Sequence, residues 1–171
     1  MKNESVLRFD AQMINALSKS AKDSPRQRAN KNIHPHYQDA VQRLFISMCP
    51  DSYVRPHRHT QDYKWEFFMV VSGRLDILLF EEDGTLTERI PLEAGGETFG
   101  VEIPPNTWHA TVCYEPVTFV EVKQGPYEIT EDKNFALWSP PEGDNRVPAF
   151  LQTLKTAEVG QLLSMPESAS V

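Results

Sequence analysis

Between Val41 and Lys123 the chain is cut into short apolar runs, each closed by a turn signal. The runs cover 41–48, 53–59, 64–71, 75–80, 86–90, 99–103, 107–114 and 117–123. Cys49-Pro50-Asp51-Ser52, Thr60-Gln61-Asp62, Gly73, Glu82-Asp83-Gly84, Gly95-Gly96 and Pro104-Pro105-Asn106 punctuate them. Such runs are too short for helices and too regular for irregular chain. With 6–9 as a further short run, they read as about nine strands, spaced as in an all-β sandwich or barrel rather than in βαβ units. The 13 prolines fall mostly between runs, which fits a β-rich fold with many turns.

Outside that block, Asp10 reads as an N-cap, and Phe9, Met13, Leu17 and Ala21 follow at four-residue steps. A helix to about Lys22, stopped by Ser24-Pro25, is expected. The segment 26–36 is basic and has no period. Composition favours a solvated loop; the alternative is a polar rim in which Arg26, Arg28, Asn30 and His34 hold an anionic substrate. After Pro126 the pattern weakens into an aromatic, proline-rich arm over 135–144, packed on the barrel or on a second subunit. Short helices over 147–154 and 156–163 are expected. The resulting division is 1–36 N-terminal flank, 37–125 barrel and 126–171 C-terminal arm.

Charge and cysteine usage narrow the function classes. A net charge of −7 argues against a nucleic-acid partner, which selects a basic face. The N-terminus has no apolar signal core and no run is long enough to span a bilayer, so a cytoplasmic protein with no membrane partner is expected. Cys49 and Cys113 lack the spacing of a disulfide framework, in keeping with a reducing compartment.

The chemistry concentrates between Arg55 and Gly73. His57 and His59 are two apart, and on a strand such residues share a face. Glu66 follows, and His109 arrives in the run that a barrel brings alongside. Three imidazoles with a carboxylate suit a divalent transition metal (Zn, Fe, Mn or Ni) and leave positions open for substrate. Strand 53–59 places Tyr53 and Arg55 on the face of the histidines; Arg55 pairs with an anionic substrate or with Glu102 or Glu121. Lys64 shares the face of Glu66, either as its ion-pair partner or as an acid or base. Cys113 follows His109 on the inward face, Glu121 lies near the end of the last barrel run, and Tyr127 follows that run. Trp108 reads as core, as do Phe67, Met69 and Val71, because both faces of 64–71 are mostly apolar.

These segments resemble the two cupin motifs. The first is His-x-His, a spacer, Glu, six residues and Gly, here His57, His59, Glu66 and Gly73, with a spacer two or three residues longer than usual. The second is Pro-x-Gly-x-x-His-x-x-x-Asn, here Pro104, Asn106 in place of Gly, His109 and Cys113 in place of Asn. A narrower resemblance, to the WbuC family of cupin-fold metalloproteins, is carried by Arg28-Ala-Asn30, His34-Pro-His, Asp39-x-Val-Gln-Arg43, Arg55-Pro-His-Arg-His, the segment 121–127 and Phe135-Ala-Leu-Trp-Ser-Pro-Pro-Glu-Gly143. It implies a cupin double-stranded β-helix (jelly-roll barrel) with a short helical N-terminal flank and an extended C-terminal arm. It also implies a homodimer and an association with surface-polysaccharide biosynthesis. The leading expectation is a metal-dependent isomerase or epimerase of a small polar or anionic sugar-type substrate. In it His57, His59, His109 and Glu66 hold the metal, Glu66 and Lys64 serve catalysis, and Arg28, Asn30, His34, Tyr53, Arg55, Cys113, Glu121 and Tyr127 bind substrate. An Fe(II) dioxygenase, a non-catalytic ligand-binding cupin and a metal-free epimerase are the alternatives.

Overall fold

The computed structural model describes residues 6–128 and 133–166. Helix α1 (Ala11–Asp23) begins where Asp10 caps it, its carboxylate accepting the Met13 N–H at 2.9 Å. Leu17 and Ala21 form its buried stripe, on one side of the helix as the four-residue step requires. Residues 6–9 form no strand; Phe9 instead packs at a tilt against Phe45, centroids 5.0 Å apart.

The strands are β1 (Arg28–Asn32), β2 (Val41–Met48), β3 (His57–Arg58), β4 (Glu66–Ser72), β5 (Arg74–Phe80), β6 (Leu86–Glu93), β7 (Gly100–Ile103), β8 (Trp108–Val112), β9 (Val117–Gln124) and β10 (Asn134–Phe135). They build two five-stranded sheets, ordered β1-β2-β9-β4-β7 and β10-β3-β8-β5-β6, with every pairing antiparallel. Met48, Phe68, Val70, Val117 and Phe119 of the first sheet meet Leu75, Ile77 and Cys113 from the second in one buried cluster. The sheets therefore face each other across a shared core, in a jelly-roll arrangement.

The inward rows of the first sheet grade from apolar to polar. Ile46 pairs with Phe119 and Phe119 with Val70, forming the apolar floor. Four residues along, Gln42 pairs with Lys123 and Lys123 with Glu66. Polar side chains thus collect at one end of the barrel, and the cavity opens there.

A second core lies outside the second sheet. Leu78, Phe80, Trp108, Ala110 and Val112 are covered by Ala136 of the arm and by Phe150, Leu151 and Leu154 of helix α2 (Val147–Thr156). Arg89 donates to the carbonyls of Leu154 and Ala157, and Tyr114 to that of Lys155, so a cation and a hydroxyl satisfy the last turn of α2. Buried Asp76 holds Arg89 at 3.1 Å. Residues 157–163 form no second helix; Leu162 bridges Thr85 instead.

Three other expectations change. The segment 26–36 contains an edge strand, β1, rather than only a loop. Of 53–59, only His57–Arg58 is strand. Phe67, Met69 and Val71 are half-buried, because little covers the outer face of β4, while Glu66, Phe68 and Val70 are buried. Gly73 follows β4 with φ of 78°, and a Cβ there would lie 2.6 Å from the Pro116 carbonyl oxygen, so only glycine fits this tight link to β5. Among the described residues, no helix is long and apolar enough to cross a membrane.

Candidate metal centre

Two neighbouring strands and two strand ends bring the site together. His57 on β3 is the register partner of His109 on β8, and their rings meet at a tilt of 57° with centroids 4.5 Å apart. His59 lies just past β3, where its carbonyl accepts the Asn106 N–H at 2.8 Å. Asn106 stands where the motif has glycine and adopts φ of 61°, a left-handed conformation that asparagine tolerates. That bond ties the loop before β8 to the end of β3. Glu66 opens β4, and the long spacer folds into a turn closed by Lys64 N–H to the Gln61 carbonyl (3.0 Å) and Trp65 N–H to the Tyr63 carbonyl (3.2 Å).

One ligand atom from each of His57, His59, Glu66 and His109 falls within 4.8 Å of the others, and all four residues are buried. The rings are aimed by their far nitrogens. Nδ1 of His57 lies 2.9 Å from the Arg55 carbonyl, and Nδ1 of His109 lies 2.9 Å from the Thr107 carbonyl. A carbonyl only accepts, so each Nδ1 carries the proton and each Nε2 presents a lone pair to the centre. Glu66 Oε1 lies 3.1 Å from His59 Nε2, and Oε2 lies 2.9 Å from His109 Nε2.

The His109–Glu66 contact decides what the site fits. Despite the short distance, His109 Nε2 and Glu66 Oε2 are buried without a hydrogen bond. Two acceptor lone pairs face each other in a desolvated space, which is costly unless a cation lies between them. Burial, with Lys133 nearby, pushes the His57 pKa well below its ordinary value, so its ring is neutral and able to ligate. Burial opposes ionisation of Glu66, and what holds its carboxyl well below the usual range is a positive partner on the side of His109 and His59, a place that a cation fills when those rings present lone pairs. Neutral imidazoles around an ionised carboxylate form a donor set suited to a divalent transition metal.

The centre opens into a cavity of about 320 Å³ between the sheets. Arg28, Asn30, His34, Glu121 and Tyr127 line it, as do His57, Glu66 and His109. Arg28 is engaged by the Tyr53 carbonyl (2.8 Å) and by Glu142, which Arg26 also grips at 2.9 Å. Asn30 donates to Asn32 at 2.8 Å.

Four other sequence-derived candidates lie outside the cavity lining. The Tyr53 hydroxyl donates to the Pro140 carbonyl, within the core under α2. Arg55 donates to the carbonyls of Ala136 and Ser139 and to the Ser139 hydroxyl, so it holds the arm rather than Glu102 or Glu121. Cys113 points inward but into the apolar floor, and burial pushes its thiol up to about 12. Lys64 is buried, with its ammonium donating to the Pro126 carbonyl at 2.6 Å.

Sequence reasoning passed over Lys123, whose ammonium lies 3.3 Å from Glu121 Oε1 and 3.8 Å from Glu66 Oε1. The signal was available: Lys123 is two residues beyond Glu121 on a strand and shares its face. Tyr37 and Lys133 also line the cavity, but neither belongs to a periodic run.

A family model described as a domain of unknown function (DUF6016) matches residues 9–92, which includes His57, His59 and Glu66 and ends before His109. No curated protein matches the chain. Similar solved structures include an oxalate oxidase in complex with the substrate analogue glycolate, at 16% identity and TM-score 0.49, covering 80% of this chain and 69% of that one. A Cupin_2 domain of an XRE family transcriptional regulator from Enterobacter cloacae matches at 22% identity and TM-score 0.45, covering 58% of this chain and 98% of that one. An oxalate decarboxylase from Lactobacillus farciminis matches at 18% identity and TM-score 0.45, covering 57% of this chain; the chain spans only 27% of that protein.

Proposed function

We propose that the protein is a metal-dependent enzyme acting on a small, anionic, sugar-type substrate, with the isomerase- or epimerase-like transfer of a proton next to a carbonyl. The observation that carries the metal reading is the buried convergence of Glu66 Oε2 and His109 Nε2 without a hydrogen bond. His57, His59, Glu66 and His109 would hold a divalent transition metal, which would supply Lewis-acid chemistry at a substrate oxygen. Glu121 and Lys123 project from β9 into the cavity beside Glu66, 3.3 Å apart. Glu121 takes the proton from carbon, and the Lys123 ammonium stabilises the charge that develops beside it. Arg28 and Asn30 orient the polar groups of the substrate at the rim. Leu44 and Phe119 give the cavity a dry wall that strengthens these contacts. Lys64 serves as a positioning residue, holding the segment after β9 through Pro126. Cytoplasmic location, pairing into homodimers and a place in surface-polysaccharide metabolism belong to the same proposal, and rest on composition and the motif resemblance.

The test is solvent-deuterium incorporation, read by NMR, across a panel of sugar acids and sugar nucleotides with metal-loaded protein in D2O. Exchange at the carbon beside a carbonyl is expected, slowed by about 10²-fold or more in Glu121→Gln. Oxygen uptake without exchange in the iron-loaded protein would replace this reading with a dioxygenase. Binding without any turnover would replace it with a ligand-binding role.

A further inference from the structure

His34, in the loop after β1, is buried to 6% exposure and lines the cavity. Its Nδ1 lies 2.9 Å from both the amide nitrogen and the carbonyl oxygen of Arg43. That carbonyl already takes the N–H of Ile33 at 2.8 Å and the N–H of His34 at 3.4 Å. On a strand, the amide and carbonyl of one residue point to the same side. The Arg43 N–H therefore points past the end of β1, where no described backbone carbonyl accepts it. His34 Nδ1 is its acceptor and replaces the missing strand partner. With that lone pair committed, the neutral ring carries its proton on Nε2. His34 Nε2 is buried with no hydrogen-bond partner. Its polarity is the reverse of His57 and His109: those rings present lone pairs, whereas His34 presents an N–H donor.

The surroundings make this donor one corner of a recognition site. The His34 ring lies 6.0 Å from Tyr37, Tyr37 lies 5.4 Å from Tyr127, and the Lys123 ammonium lies 5.5 Å from the Tyr127 centroid. The corner continues the row Glu66–Lys123–Gln42 across the sheet. Glu66 and the His34 segment are three inter-strand spacings apart, roughly 14 Å along the sheet. Inward side chains at both ends shorten the gap, and the cavity of about 320 Å³ sits at the small end of ligand pockets.

We infer that His34 is a specificity-determining residue, and that the ligand is a small diacid of about four to six carbons with one carboxylate at the metal centre and the other accepting the Nε2–H of His34. This deepens the proposed function and rests on its metal-centred cavity.

The test is calorimetric titration of zinc-loaded protein with acetate, succinate, glutarate and adipate, for wild type and His34→Phe, with zinc content measured in both. At least one diacid is expected to bind wild type tenfold or more tightly than acetate. In His34→Phe that advantage disappears while zinc content and acetate binding stay. A diacid advantage that survives His34→Phe, or no diacid advantage in wild type, overturns the inference and leaves the metal reading standing. Wild type that holds no zinc overturns both. Imidazole nitrogen NMR of histidine-labelled wild type provides a check that does not depend on how His34→Phe folds. The proton is expected on His34 Nε2, and a ring protonated at Nδ1 overturns the assignment.

Discussion

At the scale of single residues, the account turns on which nitrogen of each histidine carries its proton. His57 and His109 spend Nδ1–H on carbonyls two residues back, so the local backbone turns both lone pairs inward. The His-x-His pair was legible in sequence, although for an incomplete reason. Only His57 is on a strand; His59 is held by the Asn106 bond to its carbonyl. Tyr53 and Arg55 were placed beside the histidines by extending that strand backward. Their actual partners are Pro140, Ala136 and Ser139, about eighty residues away, and no local pattern reveals an acceptor that far along the chain. Cys113 provides a residue-scale prediction. Its thiol is buried in the apolar floor and pushed up to about 12, so it stays protonated at neutral pH. A thiol reagent is expected to leave Cys113 unmodified in the folded protein and to label it after denaturation; rapid labelling under native conditions would contradict the placement.

At the scale of elements, the strands with apolar residues were readable, edges β6 and β7 included, and the short or polar edge strands β1 and β10 were not. Strands β2, β5 and β9 lie between two neighbours and carry enough apolar residues toward the core to be recognised. Strand β1 reads Arg-Ala-Asn-Lys-Asn and is half-buried or exposed throughout, so its pairing with β2 leaves no hydrophobic alternation to detect. Its edge position is also what places Arg28 and Asn30 at the cavity. Helix α2 was legible from its apolar spacing, with Phe150, Leu151 and Leu154 on one side. Phe150 is fully buried against the outer face of the second sheet, and its ring meets Tyr53 edge-on at 6.1 Å. Phe150→Ala is expected to cost about 3–5 kcal/mol, measured as a lower urea midpoint with an unchanged slope. A loss under about 1 kcal/mol would mean that α2 contributes little to the core.

At the scale of the whole molecule, the C-terminal arm packs on the outer face of the second sheet and is tied back to β1. Glu142 bridges Arg26 and Arg28, while Arg55 holds the Ala136 and Ser139 carbonyls. Burial raises the Glu142 pKa, but the two guanidinium groups outweigh it and hold the carboxyl below its ordinary value. Since the folded-state pKa is depressed, this clasp contributes fully above about pH 4.5 and fades as pH falls through the lower folded value. Trp138 lies in the arm against Phe80 at 5.0 Å and reports on its packing. Tryptophan fluorescence is expected to show loosening of the arm on acidification, already present near neutral pH in Glu142→Gln. Identical acid profiles for wild type and Glu142→Gln would remove the clasp from the account.

The central claim is that two distant motifs fold into one metal centre. The most direct measurement is the metal content of purified, metal-replete protein, comparing wild type with His57→Ala and His109→Ala. The account predicts about one equivalent of divalent transition metal per chain in wild type and its loss in both variants, with each variant still folded by circular dichroism. A folded wild type without stoichiometric metal, or full retention by His109→Ala, would contradict it.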